Sequence, residues 1–293
     1  MNTASNPYWS DRYSNLEWKL MKLAFIAGWF FITAFIYNTL VHIGDGKSVC
    51  AFFDCNVILT TTVKLLLFAG MAVFSVLYIL EKQMLLSLAV LSALSVLVFS
   101  AGESNGIAGR CEILSAVLIA QLVAYIKHKR TGDNEALAQD RIQYSVQIIA
   151  TAYILAAISK LRGAGIGWVL QHKQLAIHAK SGFLRPGVHY GTDVLQQYAD
   201  MIFSLFWNHP AFTAVLLTLA LVIEGAAFVC FLGKRYTQLY GILLAVFHLT
   251  LFILMFVFVP PVLLCVFVFV LNGPLLIYMG LGSVYNKIRY AKQ

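Results

Sequence analysis

Charge is scarce in this chain. Only 12% of its 293 residues are Asp, Glu, Lys or Arg, while 60% are apolar and the mean hydropathy is +0.78. Soluble domains carry about a quarter charged residues and are about half apolar, so this composition excludes them and points to a polytopic membrane protein. Alternation of apolar and polar residues is lacking too. The apolar stretches are continuous, which excludes a transmembrane barrel and leaves helices to satisfy the backbone in lipid. The opening "MNTASNPYWSDRYSNLEWKL" has neither an apolar core nor a small-residue cleavage site. The first membrane helix is therefore expected to act as its own insertion signal. Internal repeats and low-complexity linkers are absent, which predicts a single membrane domain. No nucleic-acid motif is present, so the net charge of +8 reads as membrane topology rather than as a nucleic-acid footprint.

What the chain has in abundance is long apolar runs. Eight can be marked, at 23–41, 57–80, 84–101, 107–126, 142–161, 211–232, 237–259 and 261–281. Each is near the roughly 20 residues that a bilayer requires, and the fourth has the shortest strongly apolar part. The fold class expected is all-α, a bundle of about eight transmembrane helices. Basic residues cluster at Lys19 and Lys22, at Lys127, Lys129 and Arg130, at Lys234 and Arg235, and at Lys287, Arg289 and Lys292. Eight spans put all four clusters, and the Glu81–Lys82 turn, on one side. By the positive-inside rule that side is the cytoplasm, with both termini inside. Residues 1–22 then form a cytoplasmic or interfacial segment anchored by Trp9, Tyr13 and Trp18. Residues 23–282 form the membrane domain and 283–293 a basic tail. One segment departs from this pattern: 162–210 reads as a long external loop that still carries Arg162, Lys173, Lys180 and Arg185. Within it, 192–207 places Val194, Leu195, Tyr198, Met201, Ile202, Leu205 and Phe206 on one helical face. This predicts an amphipathic helix lying on the membrane or over the bundle.

Cys50, Cys55 and Cys111 all fall on the external side, where a disulfide among them is expected with the pairing open. Cys230 and Cys265 lie inside apolar runs and read as packing residues. His172, His178 and His189 are spaced by six and eleven, which matches no ligand pattern, so no metal site is expected.

Ionisable groups inside membrane spans are costly and therefore are candidates for function. Lys64 and Glu112 sit at external edges, where a lysine can snorkel and a carboxylate can be solvated. Glu224, in "LALVIEGAAFVCFLGKR", and His248, in "LLAVFHLTLFILM", lie deep in neighbouring antiparallel spans at similar depth, so a Glu224–His248 pair is geometrically allowed. Lys160 closes the fifth span. Tyr153, Ala156, Ala157 and Ser159 before it form a stripe that permits close helix packing. The "RGAGIG" after it is expected to break the helix and let the backbone approach something closely. Lys160 is then either a snorkelling end-marker or a desolvated amine able to act as a base.

The segment "YILAAISKLRGAGIGWV" resembles the Tyr-Φ-x-Ala-Gly-x-x-Lys-Leu…Trp segment of the vitamin K-dependent γ-glutamyl carboxylase membrane domain, also called the HTTM (horizontally transferred transmembrane) domain. The stretch "VIEGAAFVCFLGKRYTQLYGILLAVFHLTLFILM" resembles the same family's acidic residue, glycine-containing helix, Arg-bearing turn and Phe-His helix. Order and spacing agree over roughly residues 20 to 282. The resemblance implies a reduced quinone cofactor, of vitamin K or menaquinone type, whose reaction with oxygen generates the base for carboxylation. It makes Lys160 the amine that deprotonates the quinol and puts His248 and Glu224 in the same cavity. Tyr153, Arg162 and Trp168, which flank the lysine, become the candidates for contacting the cofactor. It also implies a bacterial cytoplasmic membrane location, contact with membrane lipid, and a peptide or small protein as partner on the external side.

Departures from the family are specific. An acidic Asp-x-Asp-Trp follows the Lys-Leu there, whereas "RGAGIGW" follows it here. The resemblance also does not extend to the family's large lumenal region. The Glu224-to-Arg235 pattern further resembles the DoxX and MauE types of quinone-associated membrane subunit. Two other functions stand beside the enzyme: a non-catalytic membrane factor for maturation, export or assembly of a partner protein, and a transporter. The transporter is disfavoured because neither an internal repeat nor a pair of interrupted helices is visible.

Overall fold

The computed structural model describes residues 7–40, 48–52, 54–105, 111–128, 133–190, 193–257 and 259–291, with backbone alone at 7, 48, 185–190 and 283–291. The expectations for Lys129, Arg130 and Lys292 fall outside the described residues, as do the side chains of Arg185, His189, Lys287 and Arg289. Among the described residues every regular element is helical and no strand occurs. The α-helices are α1 (Asn15–Thr39), α2 (Thr61–Ile79), α3 (Met84–Ser104), α4 (Glu112–His128), α5 (Asn134–Ala164), α6 (His172–Tyr190), α7 (Asp193–Asn208), α8 (Pro210–Gly225), α9 (Lys234–Met255), α10 (Pro260–Cys265) and α11 (Gly273–Ala291).

Local chemistry starts these helices where the chain requires. Ser14 and Glu17 form a reciprocal capping box on α1. Asp133 accepts from the amides of Glu135 and Ala136 to open α5. Pro210 and Pro260 occupy first-turn positions of α8 and α10, where a missing N–H costs nothing.

Among the described residues six elements are long and apolar enough to cross a membrane: α1, α2, α3, α5 with its 3₁₀ continuation to Leu170, α8 with its continuation to Leu232, and α9. They make this an integral membrane helical bundle. The other two expected spans differ from expectation. Helix α4 has 17 residues, which at 1.5 Å per residue is about 26 Å, somewhat short of a bilayer's hydrocarbon core. The last span is broken. Pro260–Val270 and Gly273–Gly282 meet at 62°, across Leu271 and Asn272. A π-helical turn at Val266–Val270 precedes the break, and Asn272 sits at φ 53°, a left-handed conformation that asparagine tolerates. An interrupted helix is therefore present where none was expected.

The segment 162–210 is not a loop with one surface helix. Helix α5 runs on through Arg162 to Ala164 and tightens into a 3₁₀ run at Gly165–Leu170, after which α6 and α7 form a hairpin. Ala176, Ala179 and Phe183 of α6 pack against Ala199, Ile202 and Phe206 of α7 in a core of their own. Only part of the expected α7 face is used in this way, since Val194 and Met201 point out and are exposed. The hairpin is pinned to α9 by Tyr198, whose hydroxyl donates to the Ile253 carbonyl, and by Phe183 against Phe256.

Polar residues are sorted to one end of the bundle. Lys22 pairs with Glu81 at 2.8 Å, Trp18 donates to the same carboxylate, and Arg141 stacks between Trp18 and Tyr125. Close by, buried Glu17 and Lys234 pair at 2.7 Å. Residues 7–14 lie across this end as a strap, with Tyr8 bonded to the Leu271 carbonyl and the Trp9 carbonyl bonded to Arg235. At the opposite end, Cys50 and Cys55 form a disulfide while Cys111 is a buried free thiol. Lys64, in the first turn of α2, lies over the Tyr37 ring.

Candidate functional site

Helices α4, α5, α8, α9 and α10 enclose a cavity of about 620 Å³. Its walls are apolar (Ile113, Ile148, Leu155, Phe247, Leu251 and Val262 among them), and polar groups converge on it from α4, α5, α8 and α9. Lys160 comes from α5, Glu224 from α8 and His248 from α9. Tyr153, one α5 residue at the cavity wall, lies two turns before Lys160 on the same face.

These four residues form two pairs. The Lys160 ammonium donates to both carboxylate oxygens of Glu224. The Tyr153 hydroxyl and His248 Nε2 are 2.5 Å apart, with ring centroids at 6.0 Å. The Glu224–His248 pair that the sequence allows is not the one made. Lysine reaches across to Glu224 because α5 packs against both α8 and its 3₁₀ continuation. A full positive charge also compensates a buried carboxylate better than a neutral imidazole can. Glu224 is the last helical residue but one before α8 changes to the tighter 3₁₀ form. The Lys160 side chain is 27% exposed and that of Glu224 10%, so the pair is partly shielded rather than sealed.

Around this core the other candidates divide. The Trp168 ring lies 4.9 Å from Lys160 Nζ, brought there by the 3₁₀ run that ends α5. Arg162 is exposed and is not part of the cavity wall. The glycines between them do not serve close approach, since a Cβ built on Gly163, Gly165 or Gly167 meets nothing within 4 Å. Gly165 is needed instead for its φ of 59°, which caps α5.

Three polar wall residues were missed or undervalued in the sequence. Glu112, an exposed residue at the start of α4, lines the cavity as well as facing solvent. Thr151 and Ser159 also line it. Ser159 stood in the small-residue stripe, and its hydroxyl is bonded back to the Ala156 carbonyl. A second chamber of about 360 Å³ lies between α9 and the broken span, lined by Ala245, Leu249, Phe252, Leu263, Phe267 and Leu271 among others. His248 lines both spaces and so stands between them.

Fold and cavity together define a helical membrane protein with an amphipathic internal cavity that holds an ion pair. No family model, curated protein or solved structure matches the chain.

Proposed function

We propose that the chain is an eight-span protein of a bacterial cytoplasmic membrane that binds a reduced quinone, of vitamin K or menaquinone type, and takes a proton from it as a compact carboxylase-like enzyme. The eight spans are the six long helices, the broken pair and α4, with the Lys234 end and both termini cytoplasmic. The observation that carries the reading is the convergence of the Lys160–Glu224 and Tyr153–His248 pairs on one apolar-walled cavity. A volume of about 620 Å³ lies within the usual range for small-molecule sites. A flat apolar ring with two hydroxyl groups fits such walls and two such polar stations.

When bound, a quinol supplies reducing equivalents and, with oxygen, the strong base of carboxylase chemistry. The chain's own part is proton handling. Within an ammonium–carboxylate pair the shared proton can sit on either partner, and neither arrangement leaves a net buried charge. Shift of the proton from Lys160 to Glu224 leaves a neutral amine, the form that acts as a base. Trp168 covers Lys160 and limits water on that side, which strengthens the pair. Tyr153 and His248 can relay a proton between hydroxyl and imidazole, and serve as a second station for a ligand hydroxyl.

The test is quinol turnover in lipid nanodiscs, with oxygen supplied and epoxide followed chromatographically. Wild type should form epoxide and Lys160→Ala should not, while both remain folded. A second reading, ligand binding without turnover in a factor that assists a partner protein on the external side, is favoured by the same ion pair, because a paired ammonium also serves as a lock between α5 and α8. Lys160→Arg separates the two. Arginine keeps the pair but does not give up its proton. It should abolish turnover in an enzyme and leave a binding factor working.

A further inference from the structure

Ten residues along α9 from His248, toward the Lys234 end, stands a glutamine with no partner. Gln238 is 0% exposed, and neither its Oε1 nor its Nε2 is hydrogen-bonded. Lys234, Gln238 and Gly241 occupy one face of α9, at i, i+4 and i+7. What that face meets is known on both sides of the glutamine. Lys234 pairs with Glu17, which also accepts from Asn272 Nδ2 at 2.6 Å. Gly241 lies so close to the broken span that a Cβ there would fall 2.7 Å from the Leu271 nitrogen. Gln238, between the two, therefore faces the break at Leu271–Asn272. There it finds a second buried group without a partner, Asn272 Oδ1.

We infer that this break holds ordered water, bound by Gln238 and Asn272. One amide donor and two amide acceptors are the set of partners that a buried water takes. Leaving all three unpaired inside the protein is expensive. The electrostatics of the cluster select a neutral occupant. Lys234 spends its donors on Glu17 at 2.7 Å, Ser10 Oγ at 2.8 Å and the Arg12 carbonyl at 3.2 Å. Glu17 balances its charge, so a further cation would sit beside an ammonium whose paired carboxylate is already engaged. An anion would meet Glu17 itself. Water also explains how the chain tolerates a 62° break in a span, because it can serve polar groups that a regular helix would have satisfied internally. The chamber on the far side of Leu271 is lined almost wholly by apolar side chains and does not share this water.

The experiment uses the full chain in nanodiscs with ¹⁵N-labelled glutamine side chains, and Gln238→Asn to identify the Gln238 signal. Cross-relaxation between the Gln238 amide protons and long-lived water is expected, and its absence overturns the proposal. Gln238→Leu gives a second measurement on protein that elutes as a folded monodisperse species. Its Tm should fall, because the water and Asn272 Oδ1 lose their partners. An unchanged or higher Tm means that a dry glutamine has been removed, and the proposal fails. Replacing Na⁺ and K⁺ by N-methylglucamine should leave the wild-type Tm unchanged; a fall assigns the break to a cation and overturns the water.

Discussion

Lys160 and Glu224, 64 positions apart in the chain, are bound to each other inside the bundle, and their pairing joins α5 to α8 at the wall of the central cavity. It gives each residue a reason to be in an apolar span that neither has alone. Either side chain without the other would be a stranded charge or a neutralised group, whereas together they form a polar station with no net charge.

The energetics of that pair can be measured directly. Lys160→Met and Glu224→Gln should each cost about 2 kcal/mol, between the near-zero worth of exposed pairs and the 3–5 kcal/mol lost on breaking fully buried ones. The double variant should lose less than the sum, with a coupling of about 1–2 kcal/mol. Thermal unfolding of the four proteins in nanodiscs closes the cycle. Strict additivity would show that the two side chains do not stabilise each other.

Glu81, in the turn between α2 and α3, sets a pH dependence. Burial alone would raise its pKa, but hydrogen bonds from Lys22 and Trp18 and the charges of Lys22 and Arg141 outweigh burial and hold it below its ordinary value. A carboxylate lowered in the fold stabilises at neutral pH, and that stabilisation is lost as pH falls through the folded value. Glu81→Gln should thus be less stable than wild type at pH 7. The gap should close on acidification below the ordinary carboxylate value of 4.5. Unfolding midpoints from pH 7 to pH 3 would show it, and a gap that stays constant would remove Glu81 from the account.

Gly182 on α6 is where the helical hairpin meets α9. A Cβ there would lie 2.1 Å from the Met255 carbonyl oxygen, a backbone atom that cannot step aside. Gly182→Ala should cost about 1–3 kcal/mol and loosen the hairpin locally. Hydrogen exchange in α6 and α7 should rise while α2 and α3 stay protected. Gly167→Ala, whose Cβ meets nothing within 4 Å, is the control and should be silent.

The cysteines give a chemical count. Of five in the chain, Cys50 and Cys55 are bonded and Cys111, Cys230 and Cys265 are free. Denatured protein alkylated without reductant should therefore take up three labels by mass spectrometry, and five after reduction. A single label before reduction would mean that a second disulfide forms.

Much of the cavity was legible because membranes penalise ionisable residues. Lys160, Glu224 and His248 stood out as such residues within long apolar runs, and Tyr153 stood in the stripe that leads up to Lys160. Which of them bind each other was not legible, since a lysine that reaches across to the neighbouring α8 wins over an imidazole at equal depth, and sequence spacing carries no such information. Helix α6 was hidden by its own charges. Ala176, Ala179 and Phe183 repeat at helical spacing, but Lys173, Lys180 and Arg185 among them made the stretch read as a loop. The broken span did leave a sign, the triplet Asn272-Gly273-Pro274, which is a strong helix interrupter. The apolar run on either side of it was long enough to be taken as one continuous helix.

Glu17 belongs to α1, yet two of its partners come much later: Asn272 lies 255 positions on and Lys234 begins α9. During synthesis from the N-terminus, α1 must enter the bilayer long before either of them exists. For most of that interval Glu17 has only its own capping partner, Ser14, and is held at the water-exposed edge of the membrane. Final seating of α1 thus waits until Lys234 and Asn272 have been made and can draw the carboxylate inward. Chains released early, before residue 234, would lack that counter-charge and present an unsealed first helix to membrane quality control.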